Sequence, residues 1–314
     1  MMRRKVIFLS ITGAFSLLNA VTSYGQADLL KLVDSTQNKP VKKIAPTWKD
    51  TRLINAQTTK VVDPGVMEFF ILHRFGDAGE ASGGAFHTLY GFDLANDIQF
   101  AFQFGVVKNL MVGISRSKQQ ELIDLDVKYK LLTQNGSNMP VSFSLYGDAG
   151  VTPELNSTFY NGTDPNAPHN TFTDKLSYLG EAIVDRRFGD HLSLELLGGV
   201  QHRNYVVTSI NPNNGATDEN NIPFAGLGGR IMFNKHSSLV FDYYYIMSQY
   251  RMNNPGYFNP ISVGYEVETG GHVFEINFSN AAFLDENNII PNTTEGWPKG
   301  GFKLGFSISR VFNI

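Results

Sequence analysis

The chain has 314 residues, 42% of them hydrophobic and only 18% charged, with a formal net charge of −3 and no cysteine. The lack of cysteine excludes disulfides, thiolate metal sites, a cysteine nucleophile, c-type haem attachment and a lipoprotein anchor, and the weakly acidic balance lacks the basic face of a nucleic-acid binder. No stretch after residue 23 approaches the roughly 18 consecutive apolar residues of a membrane-spanning helix, so a bilayer could be crossed only by strands.

At the front, Arg3, Arg4 and Lys5 form a basic region, Val6 to Val21 a mostly apolar core, and Ser23 and Gly25 the small residues that precede a cut. The pattern predicts a signal peptide over residues 1–25, cleaved ahead of Gln26; the core is too short for an anchor helix. Cleavage leaves 23 basic against 29 acidic residues, a net charge near −6. Residues 26–62 are polar and irregular, with Pro40, Pro46, Lys42 and Lys43, and are expected to form a periplasmic lead-in. The alternative for this segment is a plug in the mouth of the domain that follows.

From Gly65 onward the side chains alternate with the period of two that marks a strand with one apolar face. In Ile98–Val106, Ile98, Phe100, Phe102 and Phe104 oppose Gln99, Ala101, Gln103 and Gly105. In Ile123–Leu131, five apolar residues oppose Asp124, Asp126, Lys128 and Lys130. The same rhythm runs through residues 66–75, 110–115, 141–151, 176–188, 192–205, 225–233, 239–247, 261–267, 274–278 and 302–312. That makes about twelve strands, the even number expected of a single-chain bacterial outer-membrane barrel, and the 24 Phe and 13 Tyr suit aromatic girdles at the two interfaces. A soluble sandwich could also supply single strands of this kind, but it has no reason to sort its connections by parity. Starting from a periplasmic N-terminus, the inner links 107–109, 134–140, 189–191, 234–236 and 269–271 are short. Of the outer links 76–95, 119–122, 155–174, 208–221, 251–260 and 283–300, all but 119–122 are long and rich in turn-forming residues. The last strand ends on Phe312, two residues before the end, as a closing strand read by barrel-assembly machinery would; Arg310, on the apolar parity, is expected at the periplasmic interface.

The segments Thr51–Asn55 (TRLIN), His73–Gly76 (HRFG), Glu268–Phe274 (ETGGHVF) and Phe306–Phe312 (FSISRVF) give the chain a likeness from about Thr51 to its C-terminus. On these it resembles an uncharacterised-function family of outer-membrane β-barrels of Bacteroidota. The resemblance implies a membrane-bound barrel and brings no substrate or catalytic residue with it.

The expected architecture is therefore all-β: a transmembrane antiparallel up-and-down β-barrel of about twelve strands over residues 63–314, in the bacterial outer membrane, in contact with its lipids. The charges on the polar parity are expected to face the lumen. They are Asp124, Asp126, Lys128, Lys130, Glu181, Asp185, Arg187, Glu195, Arg203, Arg230, Asp242, Glu266, Glu275 and Lys303, with Asp97, Asp148 and Glu268 among further acids. As rings of charge they would set the selectivity of a narrow, mildly cation-favouring solute channel. Paired across a small lumen they would instead fill it, leaving a closed barrel that serves as scaffold or binding platform for an envelope partner.

No catalytic residue, cofactor or metal is expected. His73, His202 and His272 lie near strand ends, but no Gly-x-Ser-x-Gly elbow or His-Glu-x-x-His motif accompanies them. The acidic tracts at residues 218–221 and 285–288 offer oxygen ligands for calcium without EF-hand spacing and read as solvated loop tips. Gly226, Gly228 and Gly229 lie within a strand, where glycine relieves crowding or permits curvature rather than cradling a phosphate. Asn161 and Asn292 match glycosylation sequons, a weak signal in a chain resembling a bacterial family.

Overall fold

The structure, a computed structural model, describes residues 47–79, 83–135, 138–153 and 171–314. The expected signal peptide, the first part of the lead-in and Asn161 lie outside the described residues. Twelve antiparallel strands, each bonded to its neighbours in sequence, close into a barrel. They are β1 (Val66–Asp77), β2 (Ala95–Val107), β3 (Leu110–Ser117), β4 (Ile123–Leu132), β5 (Ser142–Val151) and β6 (Leu176–Phe188) in the first half. β7 (Leu192–Arg203), β8 (Asn221–Met232), β9 (Ser237–Ile246), β10 (Ile261–Thr269), β11 (His272–Ser279) and β12 (Lys303–Asn313) complete the circuit. The seam is β1 against β12, in continuous register from Val66↔Asn313 to Arg74↔Gly305, so the described sheet has no open edge.

The alternation of residue type becomes an alternation of environment. Phe100, Phe102, Leu125, Val127 and Tyr129 stand exposed on the outside, while Gln99, Gln103, Asp124, Asp126 and Lys128 are buried inside. An exposed apolar surface of this extent is stable only against another apolar medium. Tight inner turns are made where the backbone turns left-handed, at Asn109 between β2 and β3 and at Gly270 and Gly271 between β10 and β11. Arg310 is exposed beside His272, 3.2 Å away, with its guanidinium 5.1 Å from the Phe312 ring, at the end of the barrel that carries the short turns.

Several strands run further outward than their apolar rhythm. β2 begins at Ala95 rather than Ile98, and β8 at Asn221 rather than Ala225. The backbone ladder continues past the apolar band because each added residue still finds a paired neighbour, as His202↔Asn221 does. Hydrophobic periodicity records only the part of a strand that faces an apolar medium. The short outer link at 119–122 is real: a single turn over Gln119–Glu121 closes it, with positive φ at Gln120 and Glu121.

Candidate functional site: the barrel lumen

The interior of the barrel is occupied by two other parts of the chain. The first is the segment 47–60, expected as the end of a lead-in, with a plug as the alternative. A lead-in beneath the barrel would leave these residues in water, yet Trp48, Thr51, Leu53, Ile54, Asn55, Ala56, Thr58 and Thr59 are all buried. Residues 51–58 fold into a tight loop, with Leu53 N donating to Ala56 O (2.7 Å) and Thr58 N to Thr51 O (3.0 Å). Asn55 lies at its tip and holds the wall on several sides. Its backbone N donates to Asp242 (2.6 Å), its Nδ2 to Asp242 (3.2 Å) and Ser262 (2.6 Å), and its Oδ1 accepts from Arg74 Nη2 (2.9 Å). The amide orientation follows from these partners, since Arg74 can only donate and the Asp242 carboxylate can only accept.

Further contacts ring the segment. Lys128 donates to Thr51 O (2.7 Å) and Gln57 (3.0 Å), Trp48 Nε1 donates to Asp185 (2.7 Å), and Ser309 donates to Asp50 (2.6 Å). Thr59 also donates to Asp185, and Lys49 pairs with Glu268. Lys60 pairs with the buried Glu68 at 2.8 Å. Lys49, Arg52 and Lys60 thus bring positive charge into an acid-rich lumen. Burial and the neighbouring Glu68 carboxylate hold the Asp50 carboxyl well above the usual range, while Lys60, opposed by burial, is pushed up by Glu68 and Asp50.

Apolar burial adds to the polar contacts. Trp48, Leu53, Ile54 and Ala56 share one buried cluster with Leu179 and Ile183 of β6, Leu197 of β7, Ile222 and Phe224 of β8, and Val240, Tyr244 and Ile246 of β9. Removing each large side chain from water contributes about 1.5–3 kcal/mol, so the segment is held by a small core as well as by hydrogen bonds. Two inward glycines make room for it. A Cβ on Gly105 would lie 2.0 Å from Asp63 O where the chain crosses β2, and one on Gly228 would meet Leu53 Cδ1 at 2.7 Å and Glu195 Oε1 at 2.4 Å. The expectation that strand glycines relieve crowding finds its cause here; Gly229 differs, its missing side chain replaced by the Phe241 ring.

The second occupant is the link between β11 and β12, which turns inward and carries the short helix α1 (Glu286–Asn292). Residues 285–288 are therefore not a solvated loop tip: Asp285, Glu286, Asn287 and Asn288 are all buried. Asp285 caps α1 by accepting from Asn287 N (3.0 Å), Tyr244 donates to Glu286, and Asn287 Nδ2 donates to Asp148 (2.5 Å) and Asp124 (3.4 Å). Arg52 joins the two occupants, donating to Leu284 O (2.7 Å) and to Gln99 (2.9 Å). The other acidic tract, at 218–221, is not a free tip either. Asp218 accepts from Arg203 (2.9 Å) and Arg251 (2.7 Å), and Glu219 from Ser248 (2.5 Å). Toward the long-loop end, Arg203, Asp218, Tyr257 and Asn288 help line a cavity of about 470 Å³.

The charges expected in the lumen do lie on the inner parity, but few meet each other. Arg230 and Glu266 form an ion pair within that set, at 2.9 Å and buried. Lys128, Asp185 and Asp242 are engaged by the inserted segment, as described. Lys303 bridges Asp77 (2.5 Å) and Glu295 (2.6 Å) at the loop end, and Arg203 reaches Asp218 there. Arg187 curls onto its own turn, donating to Gly189 O (2.9 Å), and Lys130 is half-buried on the turn-side part of β4. Glu275 accepts from Asn277 (2.7 Å), and Asp126 from Gln103 (3.0 Å). Glu181 and Glu195 are buried with neither carboxylate oxygen hydrogen-bonded to the protein.

The matched family model extends over residues 48–312 and describes a membrane bound beta barrel domain (DUF5777). The chain belongs to that family. The match begins at Trp48, the first buried residue of the inserted segment, and not at β1, so the family domain includes its lumen segment. No curated protein matches the chain. Among solved structures, similar folds include a NanC porin (6% identity, covering 79% of this chain and 99% of that one, TM-score 0.45). A KdgM porin in complex with disordered oligogalacturonate is also similar (7%, 79% and 99%, 0.43), as is Salmonella typhi OmpF in complex with daunomycin (9%, 79% and 97%, 0.35).

Asp285 and Asn287 stood in the tract 285–288, singled out for its oxygen ligands and read as a solvated tip; the residues missed from sequence are Trp48, Arg52 and Asn55 of the inserted segment. Two signals pointed to them. Trp48, Leu53, Ile54 and Ala56 are apolar in a stretch otherwise polar, and Gly105 and Gly228 leave the inner face bare where a strand has no need of it. His73 stacks on Phe306 (5.3 Å), His202 meets Asn221 and His272 meets Arg310; among the described residues none of the three is hydrogen-bonded to a serine.

Proposed function

We propose that this barrel resides in the bacterial outer membrane as a narrow, cation-favouring channel that is shut at rest by its own N-terminal segment and opens when that segment leaves the lumen. The observation that carries the reading is the burial of most of residues 48–59 among inward side chains of the wall, with Asn55, Ala56 and Thr58 wholly enclosed. Withdrawal would expose a wall in which acids outnumber bases and in which Glu181 and Glu195 already lack protein partners, a lining that attracts cations. Membership of a membrane-bound barrel family, together with short links at one end and long ones at the other, supports the outer-membrane setting. Insertion there calls for a cleaved export signal and the barrel-assembly machinery, and the apolar outer face for contact with lipid.

The second reading is a permanently closed barrel acting as a platform for an envelope partner, and the apolar cluster around Trp48 and Ile54 favours it, since a gate need not have a core. Planar-bilayer recording separates the two. The full-length protein should be nearly silent, and a variant lacking residues 26–60 should conduct, with a reversal potential favouring cations. A shortened barrel that is folded yet remains silent would favour the platform, as would a stoichiometric partner recovered from native membranes.

A further inference from the structure

The link between β1 and β2 exposes far more apolar surface than its counterparts. Among the described residues, the links at 208–221 and 251–260 each expose one large apolar residue, Ile210 and Met252. Between residues 86 and 94, Phe86 is 78% exposed, and Leu89, Tyr90, Phe92 and Leu94 are each about half exposed. These residues form a folded arm. Tyr90 N donates to Ala85 O (2.8 Å), Gly91 N to Thr88 O (3.0 Å), and Gly76 N of β1 to both Gly91 O (3.0 Å) and Leu94 O (2.9 Å). Gly91 lies so close to β1 that a Cβ on it would meet Gly76 O at 2.3 Å. Leu89 and Tyr90 take positive φ, which bulky side chains disfavour, so the backbone is strained in a posture that leaves their side chains bare. In water such a patch gains nothing from that posture.

Two observations indicate what covers it. The arm continues the outer face of the wall: Phe92 packs on Phe75 (ring centroids 5.0 Å apart), and Phe75 on His73 (4.3 Å) and Phe306 (6.1 Å), outward residues of β1 and β12. The apolar medium around Phe306 and Phe75 therefore reaches Phe92 without a break. Beside the root of the arm, the outward row of β3 passes from Val112 and Ile114 to Arg116 and then to Lys118, whose Nζ lies 2.5 Å from Ala95 O. Apolar side chains giving way to cations mark the level where acyl chains give way to phosphates. We infer that residues 86–94 form an interfacial arm that buries Phe86, Leu89 and Tyr90 in the lipid leaflet on the long-loop side of the barrel. Its partner is the lipid itself, with acyl chains around the arm and headgroup phosphates within reach of Lys118 and of Arg116, which also approaches Glu121 at 3.9 Å. The arm goes beyond the channel reading and stands whether the lumen conducts or stays shut.

The chain has no cysteine, so a single introduced cysteine can carry a nitroxide label on the full-length protein without background. Phe86→Cys and Leu89→Cys are labelled, with Asn214→Cys in the exposed β7–β8 link as control. Each is reconstituted into mixed phosphatidylethanolamine and phosphatidylglycerol vesicles, and heat-dependent gel mobility confirms that the barrel is folded. Oxygen concentrates among acyl chains and a neutral nickel chelate stays in water, so power saturation with each, present on both sides of the vesicle, reports the medium around the label. At positions 86 and 89 oxygen should relax the label more than nickel does, and at position 214 the order should reverse. Nickel ahead of oxygen at 86 and 89 would overturn the arm by leaving those residues in water. Poor access to both agents would overturn it too, and spin–spin broadening would then identify a second copy of the chain as the cover.

Discussion

Asn55→Ala tests the lumen segment most directly. The substitution keeps the backbone bond to Asp242 (2.6 Å) and removes four side-chain bonds: from Arg74 at 2.9 Å, to Asp242 at 3.2 Å, to Ser262 at 2.6 Å and a long one to Ser279 at 3.4 Å. Bonds to charged groups contribute about 1.5–3 kcal/mol each and a neutral one about 1 kcal/mol. Arg74 retains Asn277 (3.0 Å), and water can enter a polar lumen. The net cost to the inserted state is therefore roughly 3 kcal/mol, about two orders of magnitude in the ratio of inserted to withdrawn segment. Trypsin reads this population through cleavage at Arg52, which requires withdrawal, while the heat-dependent gel mobility of the barrel reports that the wall is intact. Bilayer recording gives the same population as open time. Cleavage at Arg52 and open time both equal to those of the parent protein, in a folded Asn55→Ala barrel, would refute the reasoning that this amide holds the segment in place.

Two further substitutions probe different forces. Gly228→Val puts side chain where Leu53 Cδ1 and Glu195 Oε1 would lie within 2.7 Å of the new Cβ, and overpacking of this kind costs about 1–3 kcal/mol. Tryptic release of the segment should quicken with the barrel intact, and unchanged protection would show that the glycine is not there to make room. Asp50 gives a dependence on pH. It lies among Glu68 and Lys60, Ser309 of β12, Glu266 of β10 and the Arg230 guanidinium, with its carboxyl raised by burial and then by Glu68. A raised value in the inserted state means that this state binds the proton more tightly than the withdrawn one. Its stabilising contribution is whole below the ordinary carboxyl range near 3.8 and is lost as pH rises through the inserted-state value. Open time should therefore increase with pH, and Asp50→Asn should flatten part of that rise; an identical slope in the variant would remove Asp50 as its source.

The wall of this protein is written locally. Whether residue 125 faces out or residue 126 faces in depends only on the two-residue pleat, and an apolar medium outside a closed sheet imposes that choice at every position. Leu125 and Asp126 therefore carry it in their own chemistry, and the lengths of the links carry the strand order. The ends of β2 and β8 are less legible, because above the apolar band the ladder is held by backbone bonds to a neighbour, which leave no trace in hydropathy.

The contents of the lumen were decided elsewhere. Asn55 meets Asp242, Ser262 and Ser279, and Asp285 meets Asp124 and Asp148, only because ring closure brings strands distant in sequence around one small volume. In sequence, residues 48–59 look like a polar linker and 285–288 like a loop tip, since their partners are not their neighbours. The sequence by itself determined a twelve-strand wall with apolar residues outside and charge inside. Only the tertiary structure decided that few of those charges meet each other, and that a folded-in segment and an inward loop share the lumen with them. The physical reason is that a barrel interior is a shared space, and what fills it depends on distances that no local pattern encodes.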